Sequence, residues 1–115
     1  MADSEAGEWR IESDDRVIED LEWFGRKEAR MIAEELKAFL RHQPTAETKN
    51  LKALRSNRFA QRELRLRGKY RVLFNVDVPA RLVTVLAVGE KRGSSLFVRG
   101  EEFTEHHESN PSEQG

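Results

Sequence analysis

The sequence predicts a single α+β domain in which a helical hairpin packs on one face of a small antiparallel sheet. Apolar residues recur with a helical period of 3.6 over residues 17–40 and with a strand period of two over residues 63–88. The chain has 115 residues, of which 37% are hydrophobic and 36% charged, a size and composition that suit one modest core. We therefore expect one domain over residues 8–103, of order β-α-α-β-β-β, between disordered termini at 1–7 and 104–115.

The N-terminal half supplies one strand and both helices. Residues 8–12 alternate polar and apolar side chains, which is typical of a short strand, and Ser13 then offers a helix N-cap. The first helix is predicted to end at Gly25. The second is predicted over residues 26–42, before Pro44, which cannot continue a helix. The side chains predicted to pack on the sheet are Leu21, Phe24, Ile32, Leu36 and Phe39.

The C-terminal half changes to the strand period. The predicted strands are residues 63–67, 70–77, 82–88 and 96–98. Gly68 and Lys69 form a turn between the first two, and residues 89–95 are predicted to be a polar loop. In the irregular stretch before these strands, Leu51 and Leu54 are expected to anchor the chain to the core.

Basic residues are concentrated in the middle of the chain. The window from Lys49 to Arg71 holds nine basic residues and one acidic residue, although the whole chain has a net charge of −1. A patch of one sign attracts a polyanion whatever the net charge, so we predict a nucleic-acid-binding surface. The residues predicted to contact RNA phosphates are Lys49, Lys52, Arg55, Arg58, Arg62, Arg67 and Lys69.

Four further basic residues are candidates for chemistry. Arg65 and Arg71 lie on neighbouring predicted strands across a tight turn, on the face away from the helices, so their side chains can converge. Lys91 and Arg92 follow the central strand and can reach the same place. Converging guanidinium groups bind phosphate and stabilise the charge of a phosphoryl-transfer transition state. The same residues would also suit a protein that only binds phosphates.

Other classes of site lack their residues. The chain has no cysteine, which excludes disulfide scaffolds, thiolate metal sites and cysteine nucleophiles. No apolar run is long enough for a membrane span, and no signal peptide is evident, so we expect a cytoplasmic protein. His106 and His107 are adjacent in the tail and are not expected to bind metal. No cofactor is predicted.

Three segments together resemble the RelE/ParE superfamily of toxins from type II toxin–antitoxin systems. They are Asn50–Leu54, Glu63–Asp77 with its arginine-rich strand and Tyr-Arg-hydrophobic-aromatic ending, and Val88–Arg92 with its Val-Gly followed by basic residues. The resemblance covers about residues 8–99, including the helical hairpin. It is specific as a set, since each segment alone is a weak motif.

The resemblance implies a ribosome-dependent, metal-independent mRNA endoribonuclease that is inhibited by a cognate antitoxin. Arg65 is similar to a basic residue of the family's cleft, Arg71 to the arginine on the scissile phosphate, and Lys91 or Arg92 to a further cleft residue. Glu63 stands where members have a lysine, and Phe97 where they have a tyrosine. A carboxylate at Glu63 could be the base; phenylalanine cannot. A gyrase inhibitor of the ParE type, or a weakened relative that only binds nucleic acid or antitoxin, stays open.

Overall fold

The computed structural model describes residues 8–55 and 59–103. The helices in this part are α1 (Arg16–Trp23) and α2 (Arg26–Leu40). The strands are β1 (Arg10–Ser13), β2 (Leu51–Ala53), β3 (Arg62–Leu66), β4 (Tyr70–Asp77), β5 (Leu82–Arg92), β6 (Ser95–Val98) and β7 (Glu101–Phe103). The predicted α+β class is confirmed, with β2 and β7 as additional short strands. The predictions for residues 1–7, Arg58 and the tail 104–115 with its two histidines lie outside the described residues.

The two helices begin and end close to the predicted positions. Helix α1 begins at Arg16, whose N–H donates to the Asp14 carboxylate at 3.0 Å. The predicted N-cap, Ser13, is instead the last residue of β1. Gly25 separates the helices with a φ of 93°, a conformation that suits glycine. Helix α2 ends at Leu40, somewhat earlier than predicted, and neither helix in the described ranges has the length and apolar character that crossing a membrane requires.

The main core lies between the helices and one face of the sheet. Its fully or nearly fully buried members include Val17, Ile32, Leu36, Leu40, Leu51, Leu64, Leu66, Val72, Phe74, Val83, Val85 and Val88. The placement of Phe39 in this core is wrong, because its side chain is 44% exposed. Leu40 is buried instead, since positions 32, 36 and 40 follow one face of the helix at intervals of four. The burial of Leu51 agrees with its expected anchoring role.

The sheet has the order β2-β3-β4-β5-β6-β7 and is antiparallel along this path. Strand β1 is the exception: it runs parallel to the first part of β5, pairing Arg10–Ser13 with Leu82–Val85. Strand β5 continues to Arg92, so the predicted loop over residues 89–95 is wrong in its first half. The reason is the pairing of Glu90–Arg92 with β6, which supplies a hydrogen-bonded neighbour for this polar segment.

A buried carboxylate fills the gap between β1 and β6 on the edge of β5. Asp20 of α1 is fully buried, and its Oδ2 accepts the Val88 N–H at 3.0 Å while Oδ1 accepts from Arg99 at 3.1 Å. Pairing with β1 stops at Val85 and pairing with β6 starts at Glu90, so Asp20 replaces a missing strand partner. Burial raises the pKa of Asp20, although the Val88 hydrogen bond and the Arg99 charge oppose the rise.

This raised pKa predicts a specific pH dependence of stability. In the unfolded state Asp20 has the ordinary aspartate pKa of 3.8 and loses its proton as the pH rises through that value. In the folded state the pKa is higher, so Asp20 keeps its proton to a higher pH. The contribution of Asp20 to the free energy of unfolding is therefore greatest below pH 3.8, and it is lost as the pH rises through the pKa of the folded state. We expect the free energy of unfolding of the parent to fall relative to Asp20→Asn over this window in chemical denaturation. Glu12→Gln, an exposed carboxylate paired with Arg10 and not with Arg99, is the control. A pH-independent difference between parent and Asp20→Asn would contradict this.

Gly89 is required where β6 approaches β5. A Cβ atom at this position would overlap the carbonyl oxygen of Phe97 and lie 3.0 Å from a methyl carbon of Val98. We expect Gly89→Ala to lower the free energy of unfolding by about 1–3 kcal/mol, the usual cost of overpacking. Denaturant unfolding measures the effect. Adding Val98→Ala should not restore stability, because the obstacle is a backbone oxygen; a loss below about 0.5 kcal/mol would show that β6 moves aside freely.

Candidate functional site

Two arginines and one carboxylate meet on the sheet face opposite the helices. The β3–β4 register places Arg65 directly across from Arg71, and Glu63 lies on the same face two residues before Arg65. Glu63 Oε2 is 3.4 Å from Arg71 Nε, and Oε1 is 3.8 Å from Arg65 Nε. We call Glu63, Arg65 and Arg71 the arginine cluster. The structure thus brings together three of the five residues predicted to carry chemistry.

Arg71 lies inside this cluster, with only 7% of its surface exposed. Its Nη1 donates to the carbonyl oxygens of Gly68 at 3.3 Å and Tyr70 at 3.2 Å. Burial lowers the pKa of Arg71; the Glu63 carboxylate opposes this and the Arg65 guanidinium adds to it. Arg71 is therefore a buried residue of the face on which the sequence analysis placed it. Its guanidinium is held by backbone carbonyls and a carboxylate.

Arg65 is the more accessible guanidinium of the cluster, with 33% of its side chain exposed. The Nε atoms of Arg65 and Arg71 are buried, and in the described part of the chain neither makes a hydrogen bond. Their attraction to Glu63 is therefore one of charge rather than of aligned hydrogen bonds. A phosphate approaching from solvent would meet Arg65 first.

The structure separates Lys91 from Arg92, which the sequence could not do. Gly89 pairs with Arg71, so Lys91, two residues further along β5, shares the face of the arginine cluster. Arg92 lies on the opposite face, where its Nη2 is 2.6 Å from Glu90 and its guanidinium covers the Phe97 ring at 4.8 Å. Lys91 is thus a further cation on the cluster's face. A hydroxyl at Phe97 would lie on the other face.

Arg62 and Arg67 of the central window face the helices instead. Arg67 donates to Glu35 of α2 from Nε at 2.9 Å and Nη2 at 2.6 Å, and this interaction raises its pKa. Arg62 donates to the Ala46 carbonyl at 2.8 Å and so holds the loop after α2. The assumption of one continuous basic face is therefore wrong. These side chains neutralise carboxylates on the helix side.

Lys69 and Tyr70 belong to the helix side as well. Lys69 Nζ lies 3.9 Å from Glu28 and 4.0 Å from Glu90. The Tyr70 hydroxyl donates to Glu28, and its ring packs edge-on against Phe24. Burial and the Glu28 hydrogen bond raise the pKa of Tyr70 to about 12. The Tyr70 ring therefore does not lie beside the Arg71 side chain, because neighbouring residues of a strand point to opposite faces.

The remaining predicted RNA contacts lie around β2. Lys52 pairs in register with Glu63 and so shares the cluster's face, while Lys49 is exposed just before this strand. Arg55 follows β2 and is also exposed. The cations that extend from the arginine cluster are therefore Lys52 and Lys91, on opposite sides of it.

A second apolar cluster lies on this same face and was missed from the sequence. Ala60, Leu73 and Ala87 are buried there, with Leu54, Phe59, Leu96 and Phe103 packed around them. The alternation in β4 and β5, where apolar residues occupy both faces, is the signal that could have predicted it. The face opposite the helices is consequently half covered, with the arginine cluster at the border of the apolar part.

The chemistry available here is that of cations, one carboxylate and an apolar surface. Within residues 8–55 and 59–103, no group of three or more His, Cys, Asp or Glu side chains is arranged to hold a metal ion. A guanidinium can hold a phosphate, and a carboxylate beside it can accept a proton from a neighbouring hydroxyl. The arrangement suits binding or cleavage of a phosphodiester.

Comparison with solved structures shows which fold this is. A chain of the toxin–antitoxin complex RelBE2 from Mycobacterium tuberculosis matches with a TM-score of 0.63 at 21% identity, over 73% of this chain and 92% of that one. The isolated RelE toxin of E. coli matches with a TM-score of 0.53 at 18% identity, over 93% and 99%. Neither a protein-family model nor a curated protein matches the chain. The fold is therefore RelE-like, as the sequence resemblance implied.

Proposed function

We propose that this protein is the toxin of a type II toxin–antitoxin system and inhibits translation as a ribosome-dependent mRNA endoribonuclease. The observation that carries the proposal is the pairing of Arg65 with Arg71 on the face opposite the helices of a RelE-like fold, with Glu63 between them. The solved chain from a toxin–antitoxin complex supports an antitoxin as its partner. The ribosome as the place of action implies a cytoplasmic protein.

The chemistry proposed is attack of the RNA 2′-hydroxyl on its own phosphate. Arg65 stabilises the negative charge that develops on the phosphate oxygens in the transition state. Arg71 lies behind it and holds Glu63 in place. The Glu63 carboxylate accepts the proton from the 2′-hydroxyl, and the two guanidinium groups within 4 Å hold it beside the bound phosphate. Lys52 and Lys91 bind flanking phosphates. The step needs no metal ion: the bond from the 2′-oxygen to phosphorus forms while the bond from phosphorus to the 5′-oxygen breaks, and the 5′-oxygen takes a proton from solvent. One fragment keeps a 2′,3′-cyclic phosphate and the other a 5′-hydroxyl.

Inducible expression followed by mapping of mRNA 5′ ends tests this proposal. Cleavage at translated codons with cyclic or 3′-phosphate products is expected, and Glu63→Gln should reduce it by about 10²–10⁴, the range of a positioned general base. Products with 3′-hydroxyl ends would contradict the mechanism. DNA damage without mRNA cleavage would instead indicate a gyrase inhibitor of the ParE type.

One observation favours a second candidate function. Glu63 is only 13% exposed as a side chain and offsets one of the two positive charges of the arginine pair, so a phosphate must compete with an internal carboxylate. This favours a weakened relative that binds an antitoxin or nucleic acid without cutting. Such a protein would retain RNA or antitoxin binding in purified form while the induced cells keep growing with intact mRNA.

Lys91 and Arg92 form a matched pair for testing which face meets RNA. Lys91 shares the face of the arginine cluster, whereas Arg92 is paired with Glu90 on the other face. We expect Lys91→Ala to reduce the slope of log K against log salt for single-stranded RNA by about 0.7, because one counterion fewer is released. Arg92→Ala should leave the slope unchanged. Equal effects of both variants would mean that RNA does not select this face.

A further inference from the structure

A small pocket adjoins the arginine cluster on the face opposite the helices. It has a volume of about 170 Å³ and is lined by Leu54, Glu63, Leu73, Leu96 and Phe103. Four of these side chains are apolar, and the Glu63 carboxylate is the single charged group. The pocket therefore combines a stacking surface with one strong hydrogen-bond acceptor, directly beside the guanidinium groups.

The pocket exists because the middle of the sheet carries very small side chains on this face. Strand β5 contributes Ala87 opposite Leu73 and Gly89 opposite Arg71. Taller side chains stand on both sides, with Glu63 and Leu73 on one and Leu96 paired with Phe103 on the other. A side chain at the Gly89 position would overlap the backbone of β6, which approaches closely there. The trough is consequently a fixed feature of the sheet.

We propose that this pocket binds one unstacked nucleobase that carries an amino group, next to the phosphate at Arg65. Its volume lies below the roughly 300 Å³ of typical ligand pockets, which suits a single ring system rather than a whole nucleotide. Single-stranded RNA is recognised by stacking of splayed bases on aromatic side chains and by hydrogen bonds to their edges. Phe103 supplies the ring, supported edge-on by Phe59 at 5.0 Å.

The charge of Glu63 selects the kind of base. Adenine, cytosine and guanine present an exocyclic amino donor to a carboxylate. Uracil has no amino group, and the two carbonyl oxygens beside its single N3–H are repelled by a carboxylate. The cations around the pocket attract the phosphate of the same nucleotide: Arg65 lies beside Glu63, and Lys91 pairs with Leu96 in the β5–β6 register. The inference rests on the proposed RNA substrate and adds to it a preference at one nucleotide.

Nucleoside 3′-monophosphates test this without ribosomes. Methyl resonances of Leu54, Leu73 and Leu96 are followed by NMR during titration with 3′-AMP, 3′-CMP, 3′-UMP and ribose 3-phosphate. We expect the adenine and cytosine nucleotides to shift these methyls and to bind about tenfold or more tightly than the uracil nucleotide and the base-free sugar phosphate. Equal affinity for all four probes, or binding of none, would overturn the proposal.

Two variants and one control separate the base contact from general charge attraction. Phe103→Leu removes the aromatic face while keeping an apolar side chain. It should lower the affinity for the adenine and cytosine nucleotides about tenfold or more. Glu63→Gln should abolish the preference over uracil, because an amide both donates and accepts. Phe39→Leu, on the exposed surface of α2, should change nothing. Preserved discrimination in Glu63→Gln would overturn the assignment of the acceptor.

The outcome is independent of the proposed nuclease activity. If induced cells show mRNA cleavage but the nucleotides fail to distinguish their bases, the pocket assignment alone is wrong. If base-selective binding is found while mRNA stays intact, the pocket stands and the proposed cleavage fails. The binding measurement uses the whole purified chain, and its variants are checked for folding by the same NMR spectra.

Discussion

Replacing Arg65 with alanine is expected to lower the rate of mRNA cleavage by about 10²–10³ while the domain stays folded. Losing one preorganised donor to a developing oxyanion typically has this effect. Arg65 is the accessible guanidinium of the arginine cluster, and it belongs to neither of the two apolar clusters of the core. Primer extension on a reporter mRNA in a translation extract measures the rate, and circular dichroism reports the fold.

Arg67 provides the matched control for this experiment. It lies two residues away in sequence, carries the same charge, and is bound to Glu35 on the helix side with 58% of its side chain exposed. The Arg67→Ala variant should therefore cleave the reporter mRNA at close to the rate of the parent protein. If Arg65→Ala cleaves as fast as the parent, or if Arg67→Ala is equally impaired, the assignment of the cleavage site to this face is wrong.

Arg71 is a less direct test than its position in the family motif implies. Its guanidinium is buried and donates to two backbone carbonyls beside Glu63. Arg71→Ala would leave Glu63 and these carbonyl oxygens with fewer partners in a dry environment, which costs stability as well as activity. A loss of growth inhibition in this variant therefore has to be compared with its free energy of unfolding before it is attributed to catalysis.

Leu36→Ala is expected to lower the free energy of unfolding by about 2–5 kcal/mol. The side chain is 5% exposed and belongs to the face of α2 that packs on the sheet, so its removal deletes apolar contacts and leaves a cavity. A domain of this size has only about 5–15 kcal/mol of stability in total. Urea unfolding followed by tryptophan fluorescence measures the change.

Phe39→Ala tests the same helix on its outer side. Phe39 is larger than Leu36 but 44% exposed, so its replacement should cost much less than the Leu36 replacement. This order is the reverse of what side-chain size alone predicts. A loss below about 0.5 kcal/mol for Leu36→Ala, or a greater loss for Phe39→Ala, would contradict the placement of α2 on the sheet.

The sequence determined the types of element, because helix and strand periods are local properties of the chain. Residues 32 and 36 identified the buried face of α2, and the bounds of β4 were predicted as they are found. The helical period did not predict the exposure of Phe39, because Phe39 and Leu40 are adjacent apolar residues and only Leu40 lies on the buried face. The strand period also did not predict that residues 89–92 continue β5, since this polar segment becomes a strand only because β6 pairs with it.

The convergence of Arg65 and Arg71 was predictable for the same local reason. A tight turn at Gly68 joins their strands, so the hairpin register follows from short-range geometry. The alternation of each strand also placed Glu63 on their face. What could not be read from the alternation was the burial of Arg71, which depends on how the neighbouring strands and turn close around it.

Only the tertiary structure decided which cations remain available to a ligand. Arg67 is neutralised by Glu35 and Arg62 bonds the carbonyl of Ala46, both from segments distant in sequence, so a count of basic residues overstates the surface. Lys91 and Arg92 are adjacent in the chain, yet the pairing of β5 with β4 and β6 sends them to opposite faces. A strand's own sequence specifies alternation between two faces. Which face meets the helices, and which meets solvent, is determined by packing against elements elsewhere in the chain.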